Sequence, residues 1–457
     1  MGLKIVLIGG GSFSWTPTLA GDLFLRESLR GSHLSLVDIN QESAEKMNRY
    51  CQLMNNQLDA GWIITTDPLE DALKDADVVC ASISTGGLEA MHKDYTIPEK
   101  YGIYHTVGDT VGPGGISRTL RNVPIFLSIA KKMEEICPDT WFIHVTNPLS
   151  QITRAITKET SIKAVGLCHN FSGTISMLAD YFNVDFSDID AISVGVNHYT
   201  YMKNITCKGK PVDDQLSLKS YINYHQNKTG ELVSNTTDDL INRHLGLKNN
   251  MEYYLNFYLF EKLGIFPVGS SNHVAENLPF YCNSLETLRK YYIRRKGVLP
   301  RRQNLLNQSK ERIEKILKGE LPLPKIQASH EGLSLICESL FTGKPSRTIV
   351  TMPNKGQISN LPIDVAVETW AMVSGNGIHP IHSGEVPETI SGSMLTIINE
   401  QELTVEASIT GDRKLVYQAL HTSPQVQNKD IVESLGNELL EANKKYLPQF
   451  YDTELLI

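Results

Sequence analysis

The chain has 457 residues, 41% hydrophobic and 21% charged, enough for two or three domains with a substantial core. A net charge of −8 argues against nucleic acid or an anionic membrane as the main partner. No stretch reaches the roughly 18–20 apolar residues of a transmembrane helix, and the glycine-broken KIVLIGGG reads as a strand, not a secretion signal.

KIVLI at residues 4–8 is a continuous apolar run suited to a strand buried on both faces. The loop Gly9-Gly10-Gly11-Ser12 follows, then Phe13, a helix through TPTLAGDLFLRE and a second strand, HLSLVDIN, which contains Asp38. A βαβ unit with a glycine turn after its first strand and an acid after its second is the dinucleotide-binding arrangement. Gly9 and Gly11 let the backbone approach a pyrophosphate, the helix opening after Ser12 and Phe13 offers unpaired N–H groups, and Asp38 can accept from ribose hydroxyls. Ser14 replaces the third glycine of the GxGxxG pattern, and a tight βα turn without a ligand is the alternative. A carboxylate at Asp38 favours NAD over NADP, whose 2′-phosphate it repels.

Strands and helices go on alternating. NQESAEKMNRYCQLM reads as a helix, GWIITT as a strand, DALKDA as a short helix and ADVVCASIS as a strand leading into Thr85-Gly86-Gly87. GGISRTLRNVPIFLSIAKKMEEIC is a long helix opened by glycines, and TWFIHVTNP is a strand that runs out at Asn147-Pro148. Such alternation predicts a parallel, doubly wound sheet with ligands at the carboxyl ends of its strands, so Gly86 and Asn147 belong over the cofactor. Beyond about residue 200 come strands near 191–210, polar helical segments over 216–245, the segment MEYYLNFYLFEKLG, a charged helical excursion over 283–325 and a last helical stretch over about 411–446. The basic residues at 289–302 read as a solvated helix face or loop. The expected class is α/β: a Rossmann-like N-terminal domain (1–165) and a C-terminal α+β substrate and dimerisation domain (166–457).

Seven cysteines, odd in number and without a CxxC pair, fit free thiols in a reducing cytoplasm. Cys168 and His198 both sit at the ends of apolar runs and suit a divalent transition metal, one ligand soft and one borderline. Two protein ligands are too few for a closed structural site and leave positions for water and substrate oxygens. Plain packing is the alternative for a buried cysteine. VGDTVGPGG at 107–115 is a glycine-rich loop with one carboxylate, Asp109, which can also be purely structural. GSSNHVAE at 269–276 offers His273 and Glu276, or a helix start capped by Ser270 or Ser271.

Together, IGGGS, YGIYHTVGDTVGPGGISRTLRNVPIF, VTNP, CHN, VNH and MPNKGQISNLPIDVAVE resemble glycoside hydrolase family 4, the NAD- and manganese-dependent glycosidases, in the same order through most of the chain. That family stands outside the two-carboxylate scheme of most glycosidases. The resemblance implies a redox-assisted elimination. NAD+ takes hydride from C3 of the sugar, the ketone acidifies the C2 proton, a base removes it and the glycosidic bond breaks with acid assistance. Water then adds and NADH returns the hydride. The resemblance also implies Mn2+ on Cys168 and His198, with Asn147 and Asn197 at the substrate.

Members acting on 6-phosphosugars carry Asp or Asn after the metal cysteine and an arginine near the MHKDY position. Here His169 and, approximately, His92 stand there, so a phosphate lacks its bidentate partner. This implies an unphosphorylated sugar with His169 as the acid. The VGDTVGPGGISR loop and FPVGSSNHVAE look most like the α-galacturonidase group, with α-glucosidase, α-galactosidase or α-glucuronidase activity as alternatives in the family. Asp109 and His273 are the candidates for the base, and the cation that a uronate needs stays open. Outside the family, the rival readings are a lactate/malate-type NAD-dependent dehydrogenase and a non-catalytic sugar or nucleotide sensor. The expected setting is a cytoplasmic homodimer or homotetramer acting on a small glycoside.

Overall fold

A computed structural model describes residues 2–229, 251–295, 299–329 and 331–451. Six parallel strands come from the first 166 residues: β1 (Lys4–Ile8), β2 (His33–Val37), β3 (Ile63–Thr66), β4 (Val78–Ala81), β5 (Trp141–His144) and β6 (Lys163–Gly166). They lie in the order 3-2-1-4-5-6, so the winding reverses between β1 and β4. A crevice opens at such a reversal, outside the carboxyl ends of the strands. Side chains alternate across the sheet. Ile5, Leu7, Leu34, Leu36 and Cys80 feed one core, and Val6, Ile8, Val37, Val79 and Ala81 the other. Burial on both faces explains the continuous apolar runs.

The same sheet continues beyond β6. A separate antiparallel sheet holds β7 (Ile189–Val196), β8 (Tyr199–Cys207), β9 (Lys210–Pro211) and β10 (Phe266–Pro267). Then β11 (Ser346–Pro353), β12 (Ala366–Ser374) and β13 (Gly377–Pro380) extend the first sheet to nine strands, with Thr351 paired antiparallel to Gly166. The sequence reading assigned no strands there. These three strands pair mainly with one another, and polar residues such as Thr351, Glu368 and Thr369 interrupt their apolar runs. It also missed the helix Glu388–Thr410, whose many β-branched residues weaken its helix signal.

The helix Gly112–Ile136 positions the site. Arg121 and Asp94, both fully buried, pair across 2.8 Å, and Arg121 Nε donates to Thr85 O at 2.9 Å. This ties the helix to the loop after β4. Of the polar segment expected at 216–245, Leu218–Thr229 is helical, and 230–245 lies outside the described residues. Within the basic stretch Lys290 and Arg301 are exposed on helices as expected, and Arg295 is the exception. Arg295 donates to His105 O at 3.0 Å and to Glu99 at 2.9 Å, with its guanidinium 5.7 Å from the Tyr95 ring. Residues 296–298 lie outside the described residues. The next helix, Leu299–Leu317, reaches over the glycine turn, with Lys310 Nζ 5.8 Å from the Phe13 ring.

Candidate active site

On one side of the crevice, the Gly9 and Gly10 N–H groups donate to Val37 O at 2.9 and 3.0 Å, and Gly11 N–H donates to Asp38 Oδ2 at 2.9 Å. Gly9 has φ +86°, and a Cβ there would lie 2.5 Å from Ser82 O, so only glycine fits. Ser12 Oγ accepts from Trp15 N–H at 3.1 Å as the helix Trp15–Phe24 starts, and Phe13 is buried beneath it. Asp38 Oδ1 accepts from Asn40 N–H at 2.8 Å, and the carboxylate keeps lone pairs for a ribose. Across the reversal, Gly86 (φ +80°) opens the helix after β4.

Asn147, just beyond β5, joins this crevice to the chemistry. Its carbonyl accepts from Arg118 Nε at 3.0 Å and Asn122 Nδ2 at 2.9 Å, and its Nδ2 donates to Asp109 Oδ2 at 3.2 Å. Asp109 and Thr110 lie on a loop gathered around one buried acid. Glu276 Oε1 accepts from the N–H groups of Thr106, Val107 and Gly108 at 3.0, 3.1 and 2.8 Å, and from His105 Nδ1 at 2.8 Å. His105 Nε2 accepts from Gly114 N–H, so the ring proton is on Nδ1. The alternative for 269–276, a helix start, holds in position: Ser270 stands at the N-cap of the helix Ser271–Asn277, though without a side-chain cap hydrogen bond, and its Oγ lies 3.1 Å from His273 Nδ1.

His198 occupies the turn between β7 and β8 at φ +64°, with Asn277 Nδ2 donating to its carbonyl at 2.8 Å. Its Nδ1 is 2.8 Å from Thr110 Oγ1 and 3.5 Å from Asp109 Oδ1, and its ring meets His273 edge-on at 4.7 Å. Burial opposes ionisation of Asp109. The neighbouring His198 ring, Arg118 guanidinium and His273 ring, with the Thr110 hydroxyl, outweigh it and hold the carboxyl below its usual range. Cys168, past the end of β6, has its sulfur beside the Asn170 N–H and the Asn197 side chain. Burial, then the nearby Glu368 carboxylate, pushes the thiol well above its usual range. Glu368 accepts from Asn197 Nδ2 at 2.7 Å and from Thr200 at 2.9 Å.

The structure therefore links Asn147, Asp109, His198 and His273 by direct contacts, sets Cys168 against Asn197, the neighbour of His198, and places Gly9, Gly11, Ser12, Phe13, Asp38 and Gly86 after the carboxyl ends of β1, β2 and β4. His169 stands apart at the rim, its side chain 62% exposed and Nδ1 3.6 Å from Glu331 Oε1. Burial, then Asp22, raises Glu331 to about 7. Sequence reasoning did not single out Thr110, Arg118, Glu331 or Glu368. Glu368 had a signal, an acid inside the apolar strand AVETWAMVS, and Arg118 had a fainter one in a nearly all-buried helix start. Glu331 had none.

Arg118 Nη1, Asn147 Oδ1, Asn197 Oδ1 and Tyr95 OH are buried without a hydrogen-bond partner among the described residues. Buried polar groups are rarely left so, and orphans of this kind suit a polar ligand. Thiolate and imidazole donors suit a divalent transition metal. Among the described residues no group of three or more His, Cys, Asp or Glu is placed to hold a metal ion, so the candidate donors are the pair Cys168 and His198.

The parallel sheet, its glycine turn and its acid after β2 define a nucleotide-binding α/β fold. Residues 4–184 match the model of the family 4 glycosyl hydrolases and residues 193–426 that of their C-terminal domain. The chain belongs to family 4 and is a glycosidase, an enzyme that hydrolyses glycosidic bonds. An alpha-galacturonidase of Thermoanaerobacterium saccharolyticum is 34% identical, over 97% of this chain and 96% of that one. The crystal structure of putative glucosidase lplD from Bacillus subtilis has a TM-score of 0.85 at 31% identity, covering 96% of this chain and 100% of that one. The 6-phospho-beta glucosidase from Thermotoga maritima with manganese, NAD+ and glucose-6-phosphate shares the fold, with a TM-score of 0.77 at 21% identity over 97% and 99% of the two chains.

Proposed function

We propose that this chain hydrolyses an unphosphorylated α-glycoside, specifically an α-galacturonide, with NAD+ and Mn2+, by oxidation at C3, elimination across C1–C2, water addition and re-reduction. The observation that carries the reading is the hydrogen-bonded line Asn147–Asp109–Thr110–His198, which joins the strand end at Asn147 to the His198 imidazole. The galacturonidase relative supports the sugar, and the fold-mate holding manganese and NAD+ supports the cofactors. When bound, NAD+ supplies the hydride acceptor for C3 and Mn2+ the Lewis acid at the C2 and C3 oxygens. Gly9, Gly11, Ser12, Phe13, Asp38 and Gly86 hold the nucleotide. Cys168 and His198 hold the metal, and Asn147 Oδ1 and Asn197 Oδ1 accept from sugar hydroxyls.

Asp109 has its oxygens engaged by Asn147 and Thr110, so it positions the site, and His273 takes the C2 proton. His169 at the exposed rim protonates the departing aglycone on the solvent side. On this reading residues 1–165 bind the nucleotide, and residues 166–457 bind metal and sugar and build the oligomer. All seven cysteines are free, which suits a reducing cytoplasm. No helix among the described residues is long and apolar enough to cross a membrane.

A uronate brings a carboxylate, and the unsatisfied Arg118 Nη1 is a donor for it. The test is a panel of p-nitrophenyl α- and β-glycosides and glycuronides with NAD+, Mn2+ and reductant. Turnover is expected to be fastest on the α-galacturonide. A charged hydrogen bond contributes about 1.5–3 kcal/mol, so Arg118→Gln should raise KM for the uronide about ten- to a hundredfold and, because Arg118 Nε also holds the Asn147 carbonyl, raise that for α-galactoside by a smaller factor. Preference for a neutral glycoside by the parent enzyme rejects the uronide reading.

A further inference from the structure

The Thr110 hydroxyl has one proton and two neighbours, Asp109 Oδ1 at 2.9 Å and His198 Nδ1 at 2.8 Å. A carboxylate only accepts, so the hydroxyl proton points to Asp109 and the hydroxyl oxygen receives a proton from His198 Nδ1. The direct His198–Asp109 separation of 3.5 Å is too long to take over this role. The neutral His198 ring is therefore the Nδ1–H tautomer, with its lone pair on Nε2. Its backbone is fixed independently, by Asn277 at the carbonyl and by the left-handed turn, so the ring's tautomer and rotation depend on Thr110 and on edge contact with His273.

We propose that Thr110 is a positioning residue for the divalent metal: its hydroxyl relays Asp109 to His198 and presents Nε2 as the ligand atom. Metal-bound imidazoles commonly donate their other N–H to a carboxylate or carbonyl, which sets the tautomer and raises ligand basicity. Here a hydroxyl is interposed, and the loop that carries it also reaches Asn147. Metal geometry and sugar contact are thereby set by one segment. The inference rests on Cys168 and His198 being the metal ligands, and the experiment separates the two claims.

Mn2+ binding to the purified full chain is measured by the electron-spin resonance of free Mn2+, without substrate. The parent, Cys168→Ser, Thr110→Val and Thr110→Ser are compared, with NAD affinity and thermal unfolding as controls. Thr110→Val should weaken Mn2+ binding about ten- to a hundredfold, the usual cost of losing an outer-shell partner. Thr110→Ser should stay near the parent, and both should bind NAD unchanged. Parental Mn2+ affinity in Thr110→Val overturns the relay while leaving the ligands standing. Parental affinity in Cys168→Ser overturns the ligand assignment itself. If the valine variant does not fold, the nitrogen-15 spectrum of His198 in the metal-free parent decides: Nδ1–H supports the relay, and Nε2–H overturns it.

Discussion

Cys168→Ser is expected to lose at least about a thousandfold in glycoside turnover while binding NAD as the parent does. The reason lies in the charge of the ligand. Burial and Glu368 hold the metal-free Cys168 proton tightly, and a divalent cation reverses that balance by pairing with the thiolate. Serine is a far weaker acid and offers a neutral oxygen in the same place. Lewis-acid stabilisation of charge in the transition state contributes several kcal/mol, and about 1.4 kcal/mol is tenfold in rate. The nucleotide crevice lies on other residues, so NAD affinity, read by fluorescence titration, should not move. Full turnover in this variant removes Cys168 from the metal site.

Glu276→Ala should have the next largest effect. It strips the shared acceptor from three backbone N–H groups and the His105 ring, all buried. Each unsatisfied buried donor costs about 1–3 kcal/mol, more than the loop can absorb in its present form. We expect a fall of about a hundredfold or more in kcat/KM with a lower unfolding temperature, because Asp109 and Thr110 ride on that loop. Glu276→Gln keeps an acceptor oxygen and should retain more of both. An alanine variant within threefold of the parent in kcat/KM shows that the loop holds its shape without Glu276.

The N-terminal fold was legible because its signals are local. KIVLI, the glycine turn and Asp38 lie within 35 residues of one another, and each strand buried on two faces reads as an unbroken apolar run. β11, β12 and β13 were not legible although they pair with one another close by in the chain, because polar residues such as Arg347, Thr348, Thr351, Glu368 and Thr369 break their apolar runs. The site divides in the same way. Cys168, Asn197, His198 and Asn147 could be named from motifs at the ends of apolar runs, and Asp109 from its glycine-rich loop. Thr110 and Glu368 act by touching those residues across 88 and 171 positions of sequence respectively, a relation that no spacing rule contains. His169 was read beside Cys168, yet its side chain turns to Glu331 from the rim, because it lies past the end of β6 in helical conformation, as the residue before the helix Asn170–Phe182.

The central claim is that C–O cleavage follows loss of the C2 proton, not direct displacement at C1. Turnover of an aryl α-galacturonide in D2O, with NAD+ and Mn2+, tests it directly. Elimination followed by water addition places one solvent deuterium at C2 of the product sugar, while C3 keeps its original hydrogen because the same hydride returns. Proton NMR and mass spectrometry of the product read both positions. Deuterium at C2 with protium at C3 is the predicted result. A product with no deuterium on carbon contradicts the account.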